Sequence, residues 1–151
     1  MNNSTPNQND VLEYLEKRFG MHRPIFEGFT FYLASRGRVF IGPQKVPQLP
    51  NIASVGLIAG RISKSIKPSS NLLQIFGKFV TKNFIELDKN KTLEFLKGND
   101  LILTPSEIGN TTDGYVLLKY LNYPIGCGLL KGKKDLKNML PKAKRLKISN
   151  L

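Results

Sequence analysis

The chain has 151 residues, a formal net charge of +12, 40% hydrophobic residues, one cysteine (Cys127) and one histidine (His22). That length and apolar content suit one ordinary domain or two very small packed ones, and they exclude global disorder. The lone cysteine excludes an internal disulfide framework, and with a single histidine it excludes a standard zinc site, so no metal or other cofactor is expected.

In chain order, residues 1–9 (MNNSTPNQN) read as a frayed terminus lacking the basic and apolar regions of a secretory signal. Asp10 is placed as the N-cap of a short helix carrying Val11, Leu12, Leu15 and Phe19 on one face, with Gly20 as its stop. FTFYLASRGRVFIG predicts two strands, about 29–34 and 38–41, turning at Ser35-Arg36-Gly37. Pro43, Pro47 and Pro50 predict an irregular connection. A third strand follows over Ser54–Ile62, and a helix starts at Pro68–Ser70 and ends near Gly77. A second unit begins near Asn83 with the short strand FIEL. Asp88 caps a helix lined by Leu93, Phe95 and Leu96 that Gly98 terminates, and LIL (101–103) is another strand. GNTTDG (109–114) is a loop. It leads to a hairpin of Tyr115–Leu121 and Ile125–Leu130 whose turn is read as Leu121-Asn122-Tyr123-Pro124. Three helices among about eight strands make an α+β fold.

The charge is concentrated at the end. Of 23 basic residues 17 are lysines, which act as point charges suited to phosphate contacts. Between Lys131 and Lys147 there are eight basic residues (Lys131, Lys133, Lys134, Lys137, Lys142, Lys144, Arg145 and Lys147) against one acid, Asp135. A β-rich core ending in such density points to a polyanionic partner, nucleic acid first. Arg36 and Arg38 straddle the first hairpin turn as a second basic patch, and Tyr120 and Tyr123 flank the last one, where bases stack on exposed rings.

Catalytic chemistry finds little support. His22 sits in the linker Met21-His22-Arg23-Pro24 and reads as a surface residue, and Asp88 reads as a helix cap rather than half of a carboxylate pair with Glu86. GRISKS (60–65) lacks the spacing of a phosphate-binding loop. Cys127, between Gly126 and Gly128, reads as a compact core filler, and the two glycines permit close backbone approach or a bulge. No apolar run approaches the roughly 18 residues that span a bilayer. The 131–147 stretch is broken by Gly132 and Pro141, so it makes no membrane-binding helix. Cysteine usage suits a reducing cytoplasm.

IELDKNKTLEFLKGNDLIL and GYVLLKYLNYPIGCGLLKG, with the closing KNMLPKAKRL, resemble a PUA domain, a small pseudo-barrel that binds structured RNA. The pattern is most similar to the C-terminal region of the RsmF-type (NOL/NOP/Sun) rRNA cytosine-C5 methyltransferases, where an x-G-x-G hairpin precedes a Lys-Asn-x-x-Pro segment, matched here by Lys137, Asn138 and Pro141. EYLEKRFG, FTFYLASRGRVFIGP and GRISKSIKPS look like the domain preceding that PUA. A similar pairing occurs as a free-standing protein in the Nip-type ribosome-biogenesis factors, which FGKF (76–79) resembles. The methyltransferase half and its two catalytic cysteines have no counterpart in the sequence. After the disordered tail expected over residues 1–9, the resemblance implies a small mixed pre-PUA-like domain over 10–82 and a PUA-like β pseudo-barrel over 83–151.

The expected function is non-catalytic, cytoplasmic binding of structured rRNA or tRNA in ribosome biogenesis or RNA modification, with no membrane partner. The expected contacts are Lys97, Gly98, Tyr123, Lys131, Lys133, Lys134, Lys137, Asn138, Lys142, Lys144 and Arg145, with Arg36 and Arg38 as the second patch. By the resemblance, the backbone around Gly98 closely approaches the sugar–phosphate chain. The alternative is a gripping subunit that docks on a separate RNA methyltransferase or other processing enzyme, with Phe76 and Phe79 facing the partner.

Overall fold

The computed structural model describes residues 7–44 and 56–147. Residues 1–6, Pro47 and Pro50 of the irregular connection, and the expected strand start at Ser54 lie outside the described residues. Helix α1 spans Gln8–Phe19, so Gln8 and Asn9, expected in a frayed terminus, are helical. Its N-cap is Asn7 rather than Asp10. The Asn7 side chain accepts from the Asp10 N–H while the Asp10 carboxylate accepts from the Asn7 N–H, a reciprocal capping box. Gly20, in the left-handed region at φ 68°, ends the helix as expected.

The first sheet is antiparallel in the order β1 (Phe29–Leu33), β2 (Arg38–Pro43), β3 (Leu57–Ile62) and β4 (Ile66–Pro68). The turn between β1 and β2 is the expected Ser35–Gly37. Gly37 is required there because a Cβ would sit 2.0 Å from the Ile62 carbonyl oxygen. Strand β4, three residues long and ending on Pro68, is absent from the sequence expectation. Ser69 caps α2 (Ser70–Phe76), its hydroxyl accepting from the Leu72 N–H at 3.0 Å. The chain leaves α2 through a 3₁₀ turn at Gly77–Phe79 rather than through a left-handed glycine.

The second sheet has the order β5 (Phe84–Glu86), β7 (Gly114–Tyr120), β8 (Tyr123–Lys131), β9 (Asp135–Asn138) and β6 (Leu101–Ile102). Only β5 and β7 run parallel, and the sheet curls as a half-barrel around Phe95 of α3 (Lys89–Leu96). A fourth helix, α4 (Pro105–Ile108), opens on the capping box of Thr104 and Glu107. Lys91 of α3 forms an ion pair with Glu107. The β7–β8 turn is tighter than the sequence suggests. Leu121 (φ 47°) and Asn122 (φ 68°) alone make it, and Tyr123 and Pro124 already belong to β8. Pro124 is tolerated because β9 does not reach that end of β8 and the ladder with β7 is irregular at Leu118–Lys119. Among the described residues there are nine strands and four α-helices, one more of each than the sequence suggests, and the class is α+β. Among the described residues no helix is long and apolar enough to cross a membrane.

Two apolar clusters hold the fold. The half-barrel encloses Ile85, Phe95, Val116, Leu118, Leu130 and Leu136 among others. Phe95 faces this core, whereas Leu93, expected beside it, is 40% exposed. The other cluster joins α1, α2 and the first sheet, and it takes in Leu117 and Cys127 from β7 and β8. Gly126 and Gly128 allow close approach as expected. A Cβ on Gly128 would lie 2.7 Å from Leu136 Cδ1, and one on Gly126 would lie 3.1 Å from Phe95.

Candidate nucleic-acid interface

The lysine-dense stretch is not a tail. Its first part makes the β8–β9 turn and then β9 itself, where alternation buries Leu136 and Asn138 and exposes Asp135 and Lys137. Gly132 (φ 62°) and Lys133 (φ 48°) both take left-handed backbone in the turn. The Asp113 carboxylate accepts the N–H groups of both, and the Lys134 carbonyl accepts from the Leu103 N–H at 2.8 Å. Lys131, Lys133, Lys134 and Lys137 are all exposed. Among the described residues, no basic side chain from 131 to 147 lies within 4.0 Å of a carboxylate. Lys131 and Lys137 also border a cleft of about 440 Å³ with Asp100, Asp135 and the 65%-exposed Ile102. Asp100 and Asp135 thus share the cleft with Lys131 and Lys137, whereas Lys133 and Lys134 do not line it.

The second part behaves differently. Lys142–Lys144 form an exposed 3₁₀ turn, and Lys144 Nζ donates to Gln74 Oε1 at 2.7 Å. Gln74 in turn donates to the Ile125 carbonyl, six residues along β8 from Lys131, or about 20 Å. Lys144 is thus anchored towards the end of β8 away from Lys131.

Two expected contacts take other roles. Asn138 is 6% exposed; its amide donates to the Phe95 and Asn99 carbonyls and its oxygen accepts from the Leu140 N–H. That side chain is held in the core and leaves the contact set. Gly98 (φ 99°) does need glycine, but Arg145 fills the space a Cβ would take, with Arg145 Cδ 2.5 Å from that position. Arg145 Nε donates to the Leu140 carbonyl, so this side chain covers the Gly98 backbone that the resemblance opens to RNA. Lys97 stands beside it with Nζ 3.2 Å from Glu94 Oε1.

Tyr123 is 73% exposed opposite Tyr120 across the hairpin end, open to a stacking base. Arg36 projects from the first hairpin turn at φ 61°. Arg38 is instead fixed, donating to the Ser35 carbonyl and hydroxyl and resting over the Phe40 ring at 5.7 Å. Sequence reasoning missed Arg61 and Lys67, which the β2–β3–β4 ladder brings beside Arg38, and also the turn-holding role of Asp113. The alternation of Arg61-Ile62 with Ile66-Lys67 around Ser63–Ser65 was the available signal.

The remaining reactive groups are quiet. Cys127 is fully buried and burial pushes its thiol up to about 12. Asp88 accepts from the Lys91 N–H as a cap, and the His22 side chain is exposed.

Residues 82–146 match the family model described as the methyltransferase RsmF PUA domain. This segment is a PUA domain similar to that of the RsmF-type proteins. The match runs from Lys82 before β5 to Leu146, which closes the unit by donating its N–H to the Leu96 carbonyl at 2.7 Å. A comparison with curated proteins finds no match to the chain. PUA domains are non-catalytic modules whose family implies RNA binding, so the match suggests RNA as a partner of residues 82–146.

Proposed function

We propose that this chain grips structured rRNA or tRNA in the cytoplasm without catalysing a reaction, in ribosome biogenesis or RNA modification. The observation that carries this reading is the β8–β9 turn of the PUA domain. The ammonium groups of three lysines and of the adjacent Lys137 stand exposed, with no carboxylate oxygen within 4.0 Å of them among the described residues, on backbone held in place by Asp113. Lysines so arranged neutralise phosphates without reading sequence, and an exposed ring at Tyr123 supplies a stacking surface. Affinity for structured RNA is expected to fall with salt along a log–log line, by about 0.7 to 0.9 per phosphate contacted. Replacing Lys133, Lys134 and Lys137 with Glu removes most of the affinity. Unchanged binding by that triple variant would remove the turn from the interface.

The reading as a gripping subunit of a separate RNA methyltransferase rests on fewer residues. Phe76 is buried in the core against Phe26, whereas Phe79 is 38% exposed and remains open to a partner. A stoichiometric enzyme that co-purifies and survives high salt would favour this reading.

A further inference from the structure

The first sheet carries a row of cations that its strand register aligns. Arg38 of β2 lies directly opposite Arg61 of β3, and Arg61 lies directly opposite Lys67 of β4. Directly paired residues in antiparallel strands share a face, with Cβ atoms about 5 Å apart, and like charges so placed repel. Among the described residues no carboxylate lies within 4.0 Å of any of the three. Arg38 is preorganised by its bonds to Ser35 and by the Phe40 ring, while Arg61 and Lys67 are exposed. The three line one cleft of about 380 Å³ with Ser69, Met139 and Pro141. Met139 continues the outward side of β9 one side-chain period beyond Lys137, about 7 Å further on, its N–H donating to the Cys127 carbonyl. The cleft therefore lies next along the path that starts at the lysine turn.

We infer that Arg38, Arg61 and Lys67 form a second phosphate site, where the first sheet meets the PUA domain, that holds the RNA backbone leaving the β8–β9 turn. The inference rests on the RNA-binding reading and extends it from one unit to both. Its occupant is a phosphodiester chain. Three aligned positive groups beside a partly apolar wall of Met139 and Pro141 suit a flexible single strand better than a rigid duplex.

The test compares a labelled RNA hairpin alone with the same hairpin carrying a single-stranded tail of about ten nucleotides, a length within the usual range of single-strand sites. The full chain is used throughout, as wild type, as Arg61→Gln with Lys67→Gln, and as the Lys133, Lys134, Lys137→Glu triple variant. Arg61 and Lys67 are exposed, so both folds are retained, and a thermal melt of each variant checks this. The tail is expected to raise wild-type affinity, and the Gln pair to abolish that gain while leaving hairpin affinity unchanged. The tailed-RNA salt slope then drops by about 1.4, two contacts' worth. If the Gln pair binds both RNAs like wild type while the triple variant fails, the second site is wrong and the RNA-binding reading stands. If the triple variant binds normally and only the Gln pair fails, the turn is wrong and the second site stands. A wild-type chain that binds neither RNA overturns both and leaves the row to an acidic protein surface.

Discussion

Asp113 holds Lys133 in a left-handed backbone conformation: its Oδ1 accepts the Lys133 N–H at 2.8 Å and its Oδ2 accepts the Gly132 N–H at 2.9 Å. The acid thus serves the backbone of the turn and leaves the ammonium groups free. Asp113→Ala is expected to cost about 1 kcal/mol of stability, since the site is exposed. Amide exchange at residues 132 and 133 should rise sharply. RNA affinity should fall roughly 2- to 10-fold because the turn must then be ordered on binding, even though a negative charge has been removed. A variant that bound RNA more tightly would show that Asp113 acts only as a repelling charge.

Tyr123 supplies the second prediction. Tyr123→Ala is expected to weaken RNA binding by about 1 to 3 kcal/mol if a base stacks there. Unfolding free energy should change by no more than about 0.5 kcal/mol, because the ring is mostly in solvent. Tyr123→Phe should bind like wild type. Equal affinities for all three proteins in a titration would exclude stacking at this position.

Arg18 fastens α1 to the PUA domain. Its Nε donates to the Tyr115 carbonyl at 2.7 Å, and its terminal nitrogens donate to the Thr112 hydroxyl and carbonyl. Arg18→Met keeps the stem but loses these bonds, and the expected cost is about 2 kcal/mol. That corresponds to a melting shift of roughly 4 to 8 °C in a chain of this size. Urea unfolding of the variant checks it, and an unshifted midpoint would contradict the clamp.

Gly128 lies under Leu136, and Gly128→Ala is expected to cost about 1 to 3 kcal/mol through overpacking. Leu136→Ala is damaging by itself because it leaves a cavity in the half-barrel. Combined, the two should cost less than the sum of the singles, since each makes room for the other. Strict additivity in a double-mutant cycle would rule out the contact as the cause.

Cys127 gives a pH prediction. Its thiol is raised by burial from an ordinary value of 9.0 to about 12, so the folded chain keeps a proton that the unfolded chain releases. The stability this contributes is whole below about pH 9 and is lost as pH rises towards 12. Burial raises the Tyr14 hydroxyl as well, which acts in the same direction. The wild type should therefore lose more stability than Cys127→Ala between neutral and strongly alkaline pH. Thiol reagents should label Cys127 only after denaturation. Labelling of the native protein at neutral pH would contradict its burial.

Local chemistry made much of this fold legible. Asp88 and Gly98 stand where capping rules put them, and apolar strand-like runs place β1, β2, β7 and β8 within two residues of their observed bounds. The misses share a physical cause. β9 was hidden because its outward residues are charged and its inward Asn138 is polar, so only Leu136 signalled burial. Asn138 resembled a surface contact because its hydrogen bonds reach residues about forty positions away. Gly98 was correctly tied to an unusual backbone, yet nothing local revealed that Arg145 would fold back over it. The alignment of Arg38, Arg61 and Lys67 arises from register across three strands, which no single stretch of sequence records.

Leu117 and Cys127 belong to the recognition module by sequence, yet they pack among Phe19, Leu73 and Val80. Cutting residues 82–146 away from the rest would leave this oily seam wet on both fragments. Anyone wishing to borrow the module for another scaffold must carry its neighbour along, or repaint the seam with polar side chains first.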